Sequence, residues 1–253
     1  MAVAASLAGL AMLSSVVVCP GVVWAVGMPR FSAPVELDIG FRVGLDPIRM
    51  ATADLNGDGH IDLASVQFSS GTLAVFLGKG TGGFARRVVY DTPPRPSGIA
   101  IADVDGDGDR DVVTASANRA GAVAIFANNG ADGLQRLGTY ASSRNAYGLA
   151  AAHLDRDGAV DLLTASFTRR HLSVLRGLGG GRFALVGRYE GAPASDVALG
   201  DVNGDGKLDV ALASKYKRGS LVVRLGNGDG SFGARRVQGG PAPVGSGAGG
   251  CQP

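Results

Sequence analysis

A nine-residue segment of this chain concentrates oxygen-bearing side chains in a pattern that suits a metal ion. The segment reads DLNGDGHID and begins at residue 54. Positions one, three, five and nine carry side-chain oxygens and are Asp54, Asn56, Asp58 and Asp62. Position seven, His60, offers its backbone carbonyl. Oxygen ligands in a flexible, glycine-rich loop suit a hard cation of the size of calcium. Without a cation, carboxylates within about 4–6 Å of each other repel and retain protons.

The segment returns three times along the chain. The later copies, DVDGDGDRD, HLDRDGAVD and DVNGDGKLD, begin at residues 103, 153 and 201, so the spacings are 49, 50 and 48 residues. Of the 20 Asp residues, 14 lie inside the four windows, which favours metal binding over chance. The further predicted ligands are Asp103, Asp105, Asp107, Asp109 and Asp111 in loop two, Asp155, Asp157, Ala159 and Asp161 in loop three, and Asp201, Asn203, Asp205, Lys207 and Asp209 in loop four.

Loop three departs from the other copies at two positions. His153 puts a nitrogen where a hard cation prefers a carboxylate oxygen. Arg156 brings a positive charge and a Cβ atom to a position that is Gly in the other loops. We therefore predict Ca²⁺ at about three tight sites, with the fourth weak or empty. In the empty state, Arg156 is expected to neutralise part of the charge of the three remaining carboxylates.

Two other kinds of local structure, the EF-hand and the Asp/Gly-rich turn, contain similar acidic patterns. An EF-hand begins in the same way but needs a Glu at position twelve and flanking helices. Position twelve is Ser65, Thr114, Thr164 or Leu212, and a β-type run follows each loop. The plain alternative is an Asp/Gly-rich turn whose carboxylates only accept backbone hydrogen bonds. That alternative stays open for every loop.

A second motif follows each acidic loop, and the segments between the motifs are typical of β-strands. The second motifs are VFLGKGTGGF, IFANNGADGL, VLRGLGGGRF and VRLGNGDGSF. Short apolar runs closed by Gly-rich turns predict four strands in each unit of about 49 residues, which is the length of a propeller blade. A single four-stranded sheet cannot bury both faces, so neighbouring units must stack. The sequence predicts an all-β, propeller-type array of four blades.

The paired motifs resemble the FG-GAP/VCBS repeat family, which is related to the propellers of integrin alpha subunits. The resemblance covers about residues 31–236. It implies calcium in the loop between the first and second strands of each blade, in a mainly structural role, with ligands bound by other loops. Related propellers usually have seven or eight blades, so this chain is a four-bladed ring, an open arc or a truncated product. Residues 31–40 resemble an outer strand that would complete the last blade.

The ends of the chain differ from the repeats. Residues 1–27 carry no charged side chain and predict a secretory signal cleaved near residues 25–27, with a membrane anchor as the alternative. The repeats then occupy residues 28–236, and residues 237–253 form a low-complexity tail. Only Cys19 and Cys251 are present, so removal of the signal leaves no internal disulfide. We expect a secreted protein, extracellular, periplasmic or at the cell surface, with membrane contact only if the segment is retained.

The sequence favours binding over catalysis. A net charge of +2 gives no support for nucleic-acid binding, and no nucleophile elbow or zinc-type His cluster occurs. We expect a non-enzymatic scaffold for adhesion or recognition whose partner is a protein or glycan outside the cytoplasm, with self-association if the ring is open. The alternative is the propeller of a lectin or a polysaccharide lyase. A lyase base would be sought among Tyr140, Tyr147, Tyr189 and Tyr216.

Overall fold

The protein is seen in a computed structural model, which describes residues 16–19, 22–25, 46–85, 87–130, 133–191, 193–214 and 220–238. Eighteen β-strands, numbered in chain order, run through these residues. The prediction of an all-β fold is confirmed. In the described part of the chain, no helix has the length and apolar character needed to cross a membrane.

The chain divides into two compact units, residues 1–37 and 38–253. In the first unit, β1 (Val16–Cys19) and β2 (Val22–Ala25) form an antiparallel pair. Both strands lie within the predicted signal segment, whose export and cleavage stay predictions. The suggested outer strand at residues 31–40 lies outside the described residues, as does most of the predicted tail.

The second unit contains four antiparallel four-stranded sheets, each built from consecutive strands. Blade 1 consists of β3 (Pro47–Ala53), β4 (Asp62–Gln67), β5 (Thr72–Phe76) and β6 (Val88–Asp91). Blade 2 consists of β7 (Pro96–Ala102), β8 (Asp111–Ser116), β9 (Ala122–Asn128) and β10 (Leu134–Ala141). Blade 3 consists of β11 (Ala146–Ala152), β12 (Asp161–Ser166), β13 (His171–Gly177) and β14 (Phe183–Glu190). Blade 4 consists of β15 (Asp196–Gly200), β16 (Asp209–Ser214), β17 (Ser220–Gly226) and β18 (Phe232–Gln238).

Three apolar cores hold adjacent blades together, and strand alternation explains how one sheet serves two of them. In blade 2, Val112 packs toward blade 1, whereas its neighbour Val113 packs toward blade 3. Both are fully buried, because successive side chains of a strand point to opposite faces. Burial of one such side chain stabilises the fold by about 1.5–3 kcal/mol. The stacking of neighbouring blades is therefore what makes each sheet stable.

Aromatic residues of the second motif join blades 3 and 4 to the blade before each of them. Phe183 of blade 3 packs edge-on against Tyr140 of blade 2, with ring centroids 5.5 Å apart. Phe232 of blade 4 meets Tyr189 of blade 3 in the same way at 5.7 Å. Edge-to-face pairs of this kind add about 0.5–1.5 kcal/mol beyond the area they bury. In blades 3 and 4 the Phe of the second motif is thus an inter-blade contact, whereas Phe84 of blade 1 packs on Phe76 of its own blade.

A polar contact links the first and fourth blades at their first strands. The Nη1 atom of Arg49 on β3 lies 3.0 Å from the Oδ1 atom of Asp196 on β15. Arg49 also donates from Nη2 to the backbone carbonyl of Ser195. The array therefore curves enough for one Arg side chain to span from blade 1 to blade 4.

The antiparallel order gives the array two different ends. The acidic loops connect the first and second strands of each blade, so all four lie at one end, which we call the acidic end. The turns between the second and third strands, and the connections between blades, lie at the opposite end, which we call the turn end.

Candidate metal centre

Position one of each acidic loop orders the backbone around it, except in loop three. The two carboxylate oxygens of Asp54 accept hydrogen bonds from the backbone N–H groups of Gly57 and Gly59, each at 2.8 Å. Both glycines have positive φ, 71° and 82°, a conformation that a residue with a Cβ atom rarely adopts. Asp103 and Asp201 accept the equivalent pairs of bonds in loops two and four.

The position-nine aspartates are buried and tie the two motifs of each blade together. Asp62, Asp111, Asp161 and Asp209 are each at most 1% exposed. In blade 3, the Oδ2 atom of Asp161 accepts from the Leu154 N–H at 3.1 Å, and its Oδ1 atom accepts from the Gly177 N–H at 2.8 Å. The same two bonds occur in the other three blades. Position nine thus has a structural role that the sequence alone did not indicate.

The glycine of the second motif allows this connection by a close backbone approach. A Cβ atom on Gly177 would lie 2.3 Å from the carbonyl oxygen of Val160, just before Asp161. Gly78 and Gly226 meet the same obstacle in blades 1 and 4, at 2.2 and 2.1 Å. In these three blades the glycine of the second motif leaves room for the acidic loop. Blade 2 carries Asn128 at this position, and its side-chain amide donates to the carbonyl oxygen of Arg110 at 3.0 Å.

Loop two brings its carboxylates closest together. One oxygen each from Asp103, Asp105 and Asp111 lies within 4.8 Å of the others, the only such trio of metal-binding groups in the described part of the chain. These are positions one, three and nine of the predicted site. Loops one and four carry an Asn at position three, so they present one carboxylate fewer at these positions.

Burial and hydrogen bonding divide the acidic residues electrostatically. Burial raises the pKa of Asp111 to about 6 from 3.8, and it also raises the pKa of Asp105 and Asp161. In contrast, the backbone N–H of His60 lowers the pKa of Asp58, and that of Gly206 lowers the pKa of Asp201. For Asp105, Asp111 and Asp161, ionisation therefore has a cost that a bound cation would offset.

One carboxylate of loop three forms an ion pair with a residue that the sequence did not single out. The Nη2 atom of Arg176, on β13, lies 3.1 Å from the Oδ2 atom of Asp155. The hypothesis that Arg156 supplies this charge is wrong for Asp155, since Arg176 fills that role. The signal was present in the second motif, where Arg176 replaces Leu77, Ala127 and Leu225 of the other blades.

His153 also changes the geometry of loop three. Its Nδ1 atom lies 2.9 Å from the carbonyl oxygen of Ala159, the position-seven group that was predicted to face the cation. Among the described residues, the non-glycine positions with positive φ are Arg95, Asn145 and Arg170, so Arg156 does not copy the glycine conformation of the other loops. Loop three therefore differs from the others in ligand type, charge and backbone.

Loop four places its position-seven lysine beside its own carboxylate. The Nζ atom of Lys207 lies 3.9 Å from the Oδ2 atom of Asp205, and both side chains are more than a third exposed. Such an exposed pair contributes little to stability. The ligand predicted at position seven is the backbone carbonyl, so the lysine side chain takes no part in the predicted coordination.

A comparison with known protein families decides what kind of repeat this is. The FG-GAP-like repeat model matches residues 54–114, 103–164 and 153–212, which together span more than half of the chain. The chain belongs to the FG-GAP-like repeat family. Each match begins at position one of an acidic loop and ends in the second strand of the following blade.

Solved structures with low sequence identity share the fold of this FG-GAP-like repeat protein. One is BBS1N in complex with ARL6DN, with 14% identity, a TM-score of 0.53, and coverage of 76% of this chain and 56% of that chain. Another is a lectin from Agrocybe aegerita that recognises non-reducing terminal N-acetylglucosamine, with 19% identity, a TM-score of 0.50, and coverage of 74% and 50%. The chain thus spans about half the length of these structures. No curated protein matches it in sequence.

Proposed function

We propose that this FG-GAP-like repeat protein is a calcium-stabilised, non-catalytic scaffold for adhesion or recognition outside the cytoplasm. The observation that carries the proposal is the convergence of Asp103, Asp105 and Asp111, whose oxygens gather within 4.8 Å. A cation accounts for such a cluster, because it converts carboxylate repulsion into coordination. The same reasoning extends to loops one and four, which repeat the position-one and position-nine geometry of loop two.

Two of the tyrosines considered for a lyase base support a non-catalytic role. Tyr140 donates its hydroxyl to the carbonyl oxygen of Gly181 at 3.0 Å while packing on Phe183. Tyr189 packs between Phe232 and the guanidinium of Arg224. These rings fill blade interfaces, where a catalytic base would have no access to substrate. Of the other two candidates, Tyr147 is partly exposed at the turn end, and Tyr216 lies outside the described residues.

Glycan recognition is the second candidate function. Three partly exposed rings form a row at the turn end, with Phe68 and Tyr147 centred 6.4 Å apart, and Tyr147 and Phe167 5.0 Å apart. Arg95 lies over the Phe68 ring at 5.4 Å. Aromatic faces of this kind present large, rigid apolar surfaces to a ligand. This row supports a carbohydrate ligand at the end away from the acidic loops.

Location outside the cytoplasm is proposed from residues 1–27 alone. The apolar run of this segment, rich in Ala, Val and Leu, and its small residues Ala25 and Gly27 support export, and membrane attachment follows only if the segment is not cleaved. Sequencing the N-terminus of the protein recovered from the culture medium or periplasm tests this. A new N-terminus near residues 25–27 supports export, whereas retention of the intact chain in the cytoplasm contradicts it.

Thermal unfolding with and without calcium tests the scaffold proposal. Calcium at about 100 times its dissociation constant should add about 2.7 kcal/mol for each independent site. The melting temperature should therefore rise well above that in chelator, and magnesium at the same concentration should have a smaller effect. Identical melting temperatures in calcium and in chelator would contradict the proposal.

A further inference from the structure

A basic groove lies at the turn end between blades 2 and 3. Two open depressions of about 490 and 470 Å³ adjoin there, and both are lined by Arg144 and Arg169. The first depression is also lined by Arg119, and the second by His171 and Arg188. Depressions of this size match pockets for small ligands, which measure about 300–1,000 Å³. We call the five residues the arginine groove.

The positive charge of the groove is not used within the described part of the chain. None of the guanidinium groups of Arg119, Arg144, Arg169 and Arg188 has an ion pair within 4.0 Å or a hydrogen bond there, and all four side chains are exposed. The nearest strand partner of His171 is Glu190, across the β13–β14 pair. Four guanidinium groups without a carboxylate partner line one surface, so their hydrogen-bond donors are available to an anionic ligand.

The backbone that carries the two central arginines is fixed by one buried serine. The hydroxyl of Ser166, which is fully buried, donates to the carbonyl oxygen of Arg144 at 2.6 Å and accepts from the N–H of Arg169 at 3.0 Å. Asn145 adds a side-chain hydrogen bond to Thr168 at 2.8 Å. The two loops are thus held together before any ligand arrives, which lowers the entropic cost of binding.

We propose that the arginine groove binds an acidic glycan through its carboxylate or sulfate groups. Planar guanidinium groups match both anions, because each can donate two parallel hydrogen bonds. The adjacent residues Tyr147 and Phe167 continue the surface with partly exposed rings on which the apolar faces of sugar rings can pack. The net charge of +2 is too small for the broad phosphate-backbone attraction of nucleic-acid binding, so a local anion contact is favoured.

This inference rests on the proposed recognition role but not on calcium. The groove lies at the end opposite the acidic loops and contains none of the predicted metal ligands. Its failure is therefore distinguishable from failure of the scaffold proposal. Glycan binding can be lost while calcium still raises the melting temperature, and binding can persist in a protein that calcium does not stabilise.

The test is binding of the purified chain to fluorescent heparin, which carries sulfate, and to polygalacturonate, which carries carboxylate only. Neutral dextran and single-stranded DNA serve as comparison ligands. The double variant Arg144→Gln/Arg169→Gln should bind the preferred glycan about tenfold more weakly or worse, since each change removes a charge-assisted contact. Added salt should weaken the wild-type interaction.

A matched control removes the same charge elsewhere. Arg136→Gln/Arg182→Gln changes two exposed arginines outside the groove, and its affinity should stay within about twofold of wild type. Melting curves of both variants confirm that the fold is retained. Preference for heparin or polygalacturonate identifies sulfate or carboxylate as the anion. Binding to neither glycan, equal loss in both variants, or tighter binding to DNA overturns the proposal.

Discussion

Replacing Asp161 with alanine should destabilise blade 3 without any involvement of calcium. This carboxylate is 1% exposed and accepts hydrogen bonds from the Leu154 and Gly177 N–H groups at 3.1 and 2.8 Å. Its removal leaves two buried donors unsatisfied, at about 1–3 kcal/mol each. Burial raises the pKa of Asp161, so its charge has a cost in the folded state. Removal of that charge offsets part of this loss. The net cost should be at least about 2 kcal/mol.

Asp157→Ala is the matched control, because it removes the same group from the same loop. Asp157 is exposed, and its carboxylate accepts from the Ala159 N–H at the loop surface. The control should change stability by about 0.5 kcal/mol or less. Urea unfolding at pH 7 in chelator measures both variants, and the difference should persist in calcium because loop three is proposed to bind it weakly. Equal stability of the two variants would refute the structural role of position nine.

Three further predictions concern pH, loop three and assembly. The pKa of Asp111 is raised to about 6 from 3.8, so its ionised form costs the folded state about 3 kcal/mol above pH 6. In chelator, protonation of Asp111 should therefore remove this cost as the pH falls from 7 to 4, and urea unfolding measures the change. Calcium affinity should fall over the same pH range. His153→Asp with Arg156→Gly should add one calcium site by titration, and the same affinity and number of sites as wild type would contradict the account of loop three. Leu221 on blade 4 is 43% exposed, whereas Val123, at the same position of blade 2, is fully buried. We therefore expect self-association that Leu221→Glu abolishes. Light scattering that shows a strict monomer at high concentration would disprove this.

The repeat period and the chemistry of the acidic loops were readable from the sequence. Short apolar runs closed by Gly-rich turns and the spacing of 48–50 residues predicted four-stranded blades, and the structure confirms four of them. The acidic loops join the first two strands of each blade, where the family resemblance placed them. Local patterns sufficed here because each blade is formed by consecutive strands.

The contacts between motifs could not be read from the sequence. Asp161 was predicted as one oxygen donor among several, but its burial and its bond to Gly177 depend on how the third strand passes the loop. The ion pair of Arg176 with Asp155 joins residues 21 positions apart, across the blade. The arginine groove gathers residues from two blades. Each of these features follows from the stacking of sheets, which a periodic pattern predicts in general but not residue by residue.

Isothermal titration of calcium into the chelator-treated chain tests the central claim most directly. The acidic loops are proposed to coordinate calcium, and loop three is altered by His153 and Arg176. We predict about three tight sites per chain and a fourth that is weak or empty. Saturable heat with that number of sites would support the account. No binding heat, or four equivalent sites in the unaltered chain, would contradict it.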